Sequence, residues 1–177
     1  MKYPALMLLL FSALLVACAG NVPRAISEKP ATPLSVPEAR RAEAGLSGAA
    51  IRWGGTIARI ENRQTETWIE IVDRPLDRYG RPLETDRSGG RFLVRVQEFL
   101  DPQVYATGRQ VTVAGTLEKN LQRNIGDHPY TYPLVKAGAV YLWPPLKEWS
   151  PYYYDPFWHD PWHPWGYLPY PYPYRRY

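Results

Sequence analysis

Two stretches decide the fold: Ile51-Arg52-Trp53-Gly54-Gly55-Thr56-Ile57-Ala58-Arg59-Ile60-Glu61 and, after a five-residue gap, Thr67-Trp68-Ile69-Glu70-Ile71-Val72. In the second, Thr67, Ile69 and Ile71 alternate with Trp68, Glu70 and Val72, and a period of two puts successive side chains on opposite faces of a strand. In the first, Ile51 and Trp53 share one face, and Gly54-Gly55 allows a bulge or sharp bend before Ile57 and Ile60. Asn62-Arg63-Gln64-Thr65 between them reads as a hairpin turn.

Working outward, Phe92, Val94 and Val96 alternate with Arg91, Arg95 and Gln97 in a third strand. Val111, Val113, Gly115 and Leu117 make a fourth, and Leu134 to Trp143 a fifth. Asp101-Pro102 reads as an N-cap with proline at N1, opening a helical turn that Gly108 ends. Five strands in about ninety residues, with a short helix between the third and fourth, give the element order of a mainly β fold: a small five-stranded antiparallel OB-like barrel. The glycines of the first and fourth strands are where such a barrel bends. An open antiparallel sheet or sandwich is the alternative. Ile69, Phe92, Val94, Val111, Val113 and Val135 are assigned to the core.

Ahead of this domain, Lys2 precedes an apolar run from Ala5 to Val16. That run is shorter than the ~20 residues that span a bilayer and has the length of an export signal that is removed. It ends in Leu15-Val16-Ala17-Cys18, which resembles the lipobox of bacterial lipoproteins. The resemblance implies a diacylglycerol on the Cys18 thiol, cleavage before it and acylation of the new amine. Small residues at Ala13, Ala17 and Ala19 would also suit a conventional signal peptidase, so this reading rests on the cysteine. Cys18 is the one cysteine of the chain, so an exported protein that could have used disulfides uses none.

The chain is thereby divided into a signal peptide (1–17), a lipidated N-terminus and linker (18–50), the barrel domain (51–145) and a tail (146–177). Pro23, Pro30, Pro33 and Pro37 lie among small and polar residues, composition that predicts a flexible, extended tether. It closes on Ser35-Val36-Pro37-Glu38, a capping-box pattern for a short helix ended by Gly45 and packed on the domain. From Trp149 to Tyr177 the tail holds eight Tyr, four Trp, one Phe and seven Pro, a composition that favours an extended or disordered segment displaying its rings. Removing the leader with Lys2 lowers the formal charge from +4 to about +3, too small and scattered for a nucleic-acid partner.

Six blocks carry a family resemblance. Arg52-Trp53-Gly54-Gly55, Pro75-Leu76-Asp77-Arg78-Tyr79-Gly80-Arg81-Pro82, Gly90-Arg91-Phe92-Leu93, Phe99-Leu100-Asp101-Pro102 with Val104-Tyr105, Val111-Thr112-Val113-Ala114-Gly115 and Gly126-Asp127-His128-Pro129-Tyr130-Thr131-Tyr132-Pro133 resemble, in order and spacing, the Slp family of Gram-negative outer-membrane lipoproteins. The resemblance covers about residues 48 to 145 plus the lipobox; the tail is longer and more aromatic than the family pattern. It implies a lipid-anchored protein of the outer membrane, in a family named for induction on starvation; we read it as facing the periplasm. It brings no catalytic residues.

Two places could bind. The loop Asp73 to Gly90 lacks periodicity and is long for a small domain; its Asp77, Arg78, Tyr79 and Arg81 could form a polar lip at the barrel mouth. Equally, it could be a surface loop pinned by Pro75, Leu76, Tyr79 and Pro82. The second place brings His128, Tyr130 and Tyr132 beside Asp127. A histidine near a carboxylate can do acid–base work, but adjacent strand residues point to opposite faces, and a structural role in the turn to the fifth strand is favoured. No nucleophile, phosphate-loop or metal signature accompanies either place, so no catalytic residue, metal ligand or cofactor is assigned. His159 and His163 have metal-ligand spacing only if helical, which Pro156, Pro161 and Pro164 exclude. The leading reading is a non-enzymatic envelope lipoprotein with a structural or interaction role. The alternative is a binding module for an envelope polymer, peptidoglycan or lipopolysaccharide sugar, using the barrel mouth and tail. An enzyme is third.

Overall fold

The computed structural model describes residues 22–42 and 45–146, so Cys18, the leader and the tail with His159 and His163 lie outside the described residues. The chain divides after Pro145, and the account below concerns the unit before it. Its strands are β1 (Ala50–Asn62), β2 (Thr67–Asp73), β3 (Arg91–Val96), β4 (Gln110–Leu117), β5 (Leu121–Ile125), β6 (His128–Tyr132) and β7 (Leu134–Leu142). The barrel closes in the order β1-β2-β3-β7-β4, and β5 and β6 pair as a separate two-stranded sheet.

The five barrel strands are those read from the periodicity, with one correction: β3 and β7 run parallel, Leu93 opposite Leu134 and Val94 opposite Val135. A ring with an odd number of strands cannot alternate direction all the way round, so closure forces one parallel pair. Closure also explains the glycines. Residues 50–56 of β1 pair with β4 and residues 55–62 with β2, so Gly54-Gly55 sits where the strand passes from one neighbour to the other. A Cβ on Gly55 would overlap the Val72 carbonyl, and one on Gly54 would lie 2.8 Å from Leu76 Cδ2, Thr112 Oγ1 and the Val111 carbonyl. The β1 register slips between Ile57 and Arg59 instead. On β4 it slips between Ala114 and Gly115, where a Cβ on Gly115 would overlap the Lys136 carbonyl.

Inside, Ile69, Phe92, Val94, Val111, Val113 and Val135 are all 0% exposed, as their alternation requires. Trp53 meets Phe92 edge-on, ring centroids 5.3 Å apart. The helix expected after Asp101 is only a turn: Tyr105 N donates to Asp101 O at 2.9 Å and Gln103 N to Asp101 Oδ1 at 2.8 Å. Paired bonds between Ile57 and the Gly108–Arg109 segment, both 2.9 Å, draw the chain back to β1 before a second turn can form.

The described part of the expected extended linker is docked. It contains α1 (Arg24–Ser27) and α2 (Val36–Arg41), and Ile26, Val36 and Ala39 are buried. The capping box forms as read: Ser35 Oγ accepts from Glu38 N at 3.4 Å, and Glu38 Oε2 accepts from Ser35 N at 2.9 Å. Yet α2 stops at Arg41, before Gly45. Short helices leave carbonyls unpaired, and the barrel supplies donors for them. Asn120 Nδ2 reaches Ala39 O at 3.0 Å and Ala42 O at 3.1 Å, and Arg52 Nη1 reaches Ser27 O at 2.9 Å; ahead of α2, in the segment between the helices, Trp53 Nε1 reaches Leu34 O at 2.6 Å.

Candidate functional site

Barrels of this type bind oligomers across the outer face of their second and third strands. In this chain that face carries Trp68 and Glu70 from β2 and Arg91, Leu93 and Arg95 from β3, and the β5–β6 hairpin lies on it. Gly126-Asp127 forms the hairpin's two-residue loop, with Ile125 opposite His128 and Gly126 at φ +58°. Tyr132 packs with Trp68, Leu93 and Leu134 in a buried cluster flanked by Leu121, Ile125 and Tyr130.

Polar contacts fix the cover. Tyr132 Oη donates to Glu70 Oε1 at 2.9 Å, and Arg91 Nη1 donates to the same oxygen at 2.6 Å. Burial, then the bond to Glu70, pushes the Tyr132 phenol up to about 12. Tyr130 Oη accepts from Arg91 N at 2.8 Å and from Arg40 Nη1 at 2.6 Å, so the hairpin also ties down α2. Two guanidiniums lie over the Trp68 ring, Arg63 at 4.1 Å and the hairpin's Arg123 at 4.7 Å. Trp68 Nε1 donates to Glu66 Oε1 at 2.6 Å. The remaining cleft, lined by Arg59, Glu61, Arg123 and Asn124 among others, holds about 50 Å³, room for a water or two. The hairpin therefore occupies the place a bound oligomer takes in other barrels.

The loop 73–90 covers the outside of β1 and β4. Gly80 O accepts from Thr112 Oγ1 at 2.6 Å, and Thr112 Oγ1 accepts from Trp143 Nε1 at 2.9 Å. Asp77 Oδ1 accepts from Tyr79 N at 2.8 Å and Arg81 N at 2.9 Å. Arg81 Nε donates to Gln110 Oε1 at 2.9 Å and its Nη2 to Pro144 O at 2.8 Å. Asp77 thus spends Oδ1 on the loop itself, and Arg81 spends its guanidinium on tying the loop to β4 and to the segment after β7. Arg78 and Tyr79 point outward: Tyr79 is 59% exposed, with the Arg78 guanidinium 4.6 Å from its ring centroid. Leu76, bridged to Pro82, does the pinning that Tyr79 was expected to share. At the loop's root, burial pushes the Asp73 carboxyl up to about 6 against the Gly89 N–H bond and Arg74.

The structure keeps Tyr130 and Tyr132 together, ring centroids 4.8 Å apart, but separates them from His128, and the two candidate places stay apart. His128 is exposed at the hairpin tip while Tyr132 is buried beneath it, and Asp77, Arg78, Tyr79 and Arg81 lie on another face. Trp68, Glu70, Arg63 and Arg123 were not singled out from the sequence; the available signal was the aromatic and acidic pair on the outward side of β2. Among the described residues no three His, Cys, Asp or Glu side chains gather as metal ligands, and no helix is long and apolar enough to cross a membrane.

Residues 15–175 match the family described as the outer membrane lipoprotein Slp family. The match starts within Leu15-Val16-Ala17-Cys18 and runs through the aromatic tail, correcting the limit near 145 that the six blocks suggested. The uncharacterized lipoprotein YeaY of Escherichia coli K12 is 34% identical over 96 residues, covering 54% of this chain and 49% of the relative. The outer membrane protein Slp of the same organism is 33% identical over 122 residues, covering 64% and 63%. The chain thus spans about half to just under two thirds of the length of these curated relatives. Among solved structures, the small single-stranded DNA-binding protein from Streptomyces coelicolor has 18% identity and a TM-score of 0.37, covering 55% of this chain and 95% of that one. OBody NL8 bound to hen egg-white lysozyme has 12% identity and a TM-score of 0.36, covering 56% and 100%.

Proposed function

The chain belongs to the outer membrane lipoprotein Slp family, and from that premise we propose that it is a non-enzymatic interaction protein of the envelope, acting under stress or starvation. It is an outer-membrane lipoprotein; in our reading its acyl chains sit on Cys18 and its barrel faces the periplasm. Three acyl chains bury far more CH2 groups than the single chain that gives only marginal binding, so attachment is permanent. One observation supports the non-enzymatic reading: Glu70, Tyr130 and Asp77 are engaged in holding the fold, while His128 stands exposed at the hairpin tip. Glu70 is taken by Arg91 and Tyr132, Tyr130 by Arg91 and Arg40, and Asp77 by its own loop.

Cys18→Ser should abolish palmitate incorporation and remove the protein from the outer-membrane fraction; a mutant that still labels with a fatty-acid analogue would refute the anchor. In vivo crosslinking of the anchored protein should then capture envelope partners. The second reading, a module for peptidoglycan or lipopolysaccharide sugar, is favoured by the family match extending over the tail, whose Trp and Tyr rings suit sugar stacking. Since the hairpin covers the β2–β3 face, this reading falls on the tail and on Arg78 and Tyr79. Co-sedimentation with isolated sacculi, lost when 149–177 is deleted, would support it.

A further inference from the structure

We propose that the turn carrying Arg78 and Tyr79, with Arg24 and Lys29 beside it, is a membrane-contact patch that docks on the anionic phospholipid headgroups to which the protein is anchored. The inference rests on the reading of Cys18 as the acylated residue. It follows from how little chain separates that residue from the folded unit. Arg24, the first residue of α1, stands six residues after Cys18, and at about 3.5 Å per residue the link reaches at most about 20 Å. A small domain is about 30 Å across. The link is therefore too short for α1 to sit on the side of the barrel away from the bilayer.

What α1 touches then decides which surface meets lipid. Its C-terminal carbonyls are held by Arg52 Nη1, at 3.1 Å from Ile26 O and 2.9 Å from Ser27 O. Ile26 itself is buried. Gly80 packs so closely on it that a Cβ there would lie 2.7 Å from the Ile26 carbonyl. Gly80 ends the turn that begins at Asp77, its N–H bonded to Asp77 O at 3.1 Å, so Arg78 and Tyr79 are presented right beside α1. Both are exposed, as are Arg24 and Lys29.

The chemistry of this patch suits an interface. Tyrosine has an apolar ring and a polar tip, and it settles at headgroup level. Arginine and lysine are drawn to an anionic leaflet. Of the neighbouring acids, Asp77 is turned onto the loop's own N–H groups, and Glu28 lies 3.9 Å from Arg24. Positive charge is left in excess on the exposed side. The β5–β6 hairpin, covering β2 and β3, faces away from this patch around the closed ring.

The single native cysteine makes the test clean, because acylation consumes its thiol and an introduced cysteine takes a nitroxide alone. The acylated full chain would carry the label at Tyr79→Cys or, as a control on exposed β5, at Gln122→Cys. It would be reconstituted in vesicles of phosphatidylethanolamine and phosphatidylglycerol. The label at 79 should collide with a water-soluble nickel chelate severalfold less often than the label at 122, and with oxygen more often. Adding Arg24→Glu and Arg78→Glu should restore nickel access at 79. Equal nickel access at the two positions would overturn the proposal. So would a fall in both nickel and oxygen collisions at 79, which means cover by protein rather than lipid. The mass of the N-terminal peptide separates the two readings: an unacylated Cys18 overturns the anchor and this patch together, whereas an acylated Cys18 with a freely accessible label overturns the patch alone.

Discussion

Over β2 and β3 the barrel is closed by a hairpin that reaches it through ionisable groups, whereas over β1 and β4 it is closed by a loop whose central contacts are neutral. The first cover depends on Glu70 between Arg91 and Tyr132 and on two guanidiniums over Trp68. The second depends on Gly80 O, Thr112 Oγ1 and Trp143 Nε1 in a buried chain. Charged contacts that are partly exposed weaken in salt and respond to pH; a buried neutral chain does neither but is costly to break. Two parts of one surface should therefore fail under different conditions.

Either cover presupposes the same core, and its loss is the largest effect expected. Phe92 is fully buried, and Phe92→Ala in the unacylated chain from residue 19 should cost about 3–5 kcal/mol, loosening both covers at once. An unchanged melting temperature would mean that the covers stand without the core and would break the comparison at its root.

The next effect separates the covers. Thr112→Val removes the hydroxyl that joins Gly80 O to Trp143 Nε1–H and leaves both buried groups without that partner, at about 1–3 kcal/mol. Hydrogen exchange should speed up in residues 76–82 and stay unchanged in 121–132, with no dependence on salt. The hairpin should respond instead to alkali. Its Tyr132 phenol is pushed up to about 12 from an ordinary value near 10, so between these values the folded chain holds a proton that the unfolded chain has lost. Stability falls as pH rises from 10 through 12, and Tyr132→Phe should remove that part of the fall. If Thr112→Val opened the hairpin, or Tyr132→Phe kept the full alkaline loss, the two covers would be one cooperative unit.

How much of this was legible follows from the same division. The barrel strands were readable because Ile69-Glu70-Ile71 and Phe92-Leu93-Val94 alternate, and Gly54-Gly55 and Gly115 mark where the ring bends and slips register. The covers lack any period. Ile26, Val36 and Ala39 are single apolar residues among prolines; Val36 and Ala39 join the barrel core, and donation from Arg52, Trp53 and Asn120 across long sequence separations holds their segment there. The hairpin was missed because Pro129 argues against a strand, although an edge position such as its pairing opposite Asn124 tolerates a missing N–H. Of the candidate residues, Arg78 and Tyr79 were readable as a polar loop tip. Trp68 and Glu70 could be read as outward residues of β2, but nothing local said that the chain would fold back to cover them.

The smallest effect tests whether the root of the loop cover is as neutral as its centre at Thr112, because an ionisable group sits there. Asp73 is half-buried at the end of β2, where its Oδ2 accepts from Gly89 N at 3.1 Å and its own N–H donates to Gly90 O at 2.9 Å. Burial pushes its carboxyl up to about 6 from 3.8. The folded chain thus keeps a proton in the range where the unfolded chain has released it, and stability falls as pH rises from about 4 to 6, then stays level. Glu38, whose bonds to Ser35 lower its pKa, acts in the opposite sense but is lost only as pH falls below its ordinary value. Asp73→Asn can still accept from Gly89 N while carrying no charge. With solvent screening at a half-buried carboxyl, it should raise stability at pH 7 by less than about 1 kcal/mol and leave it unchanged near pH 4. Melting temperatures measured across that range should converge at the acid end and part at the neutral end. Curves that run parallel from pH 4 to 7 would show that Asp73 does not titrate with folding and that the loop cover is as neutral at its root as it is at Thr112.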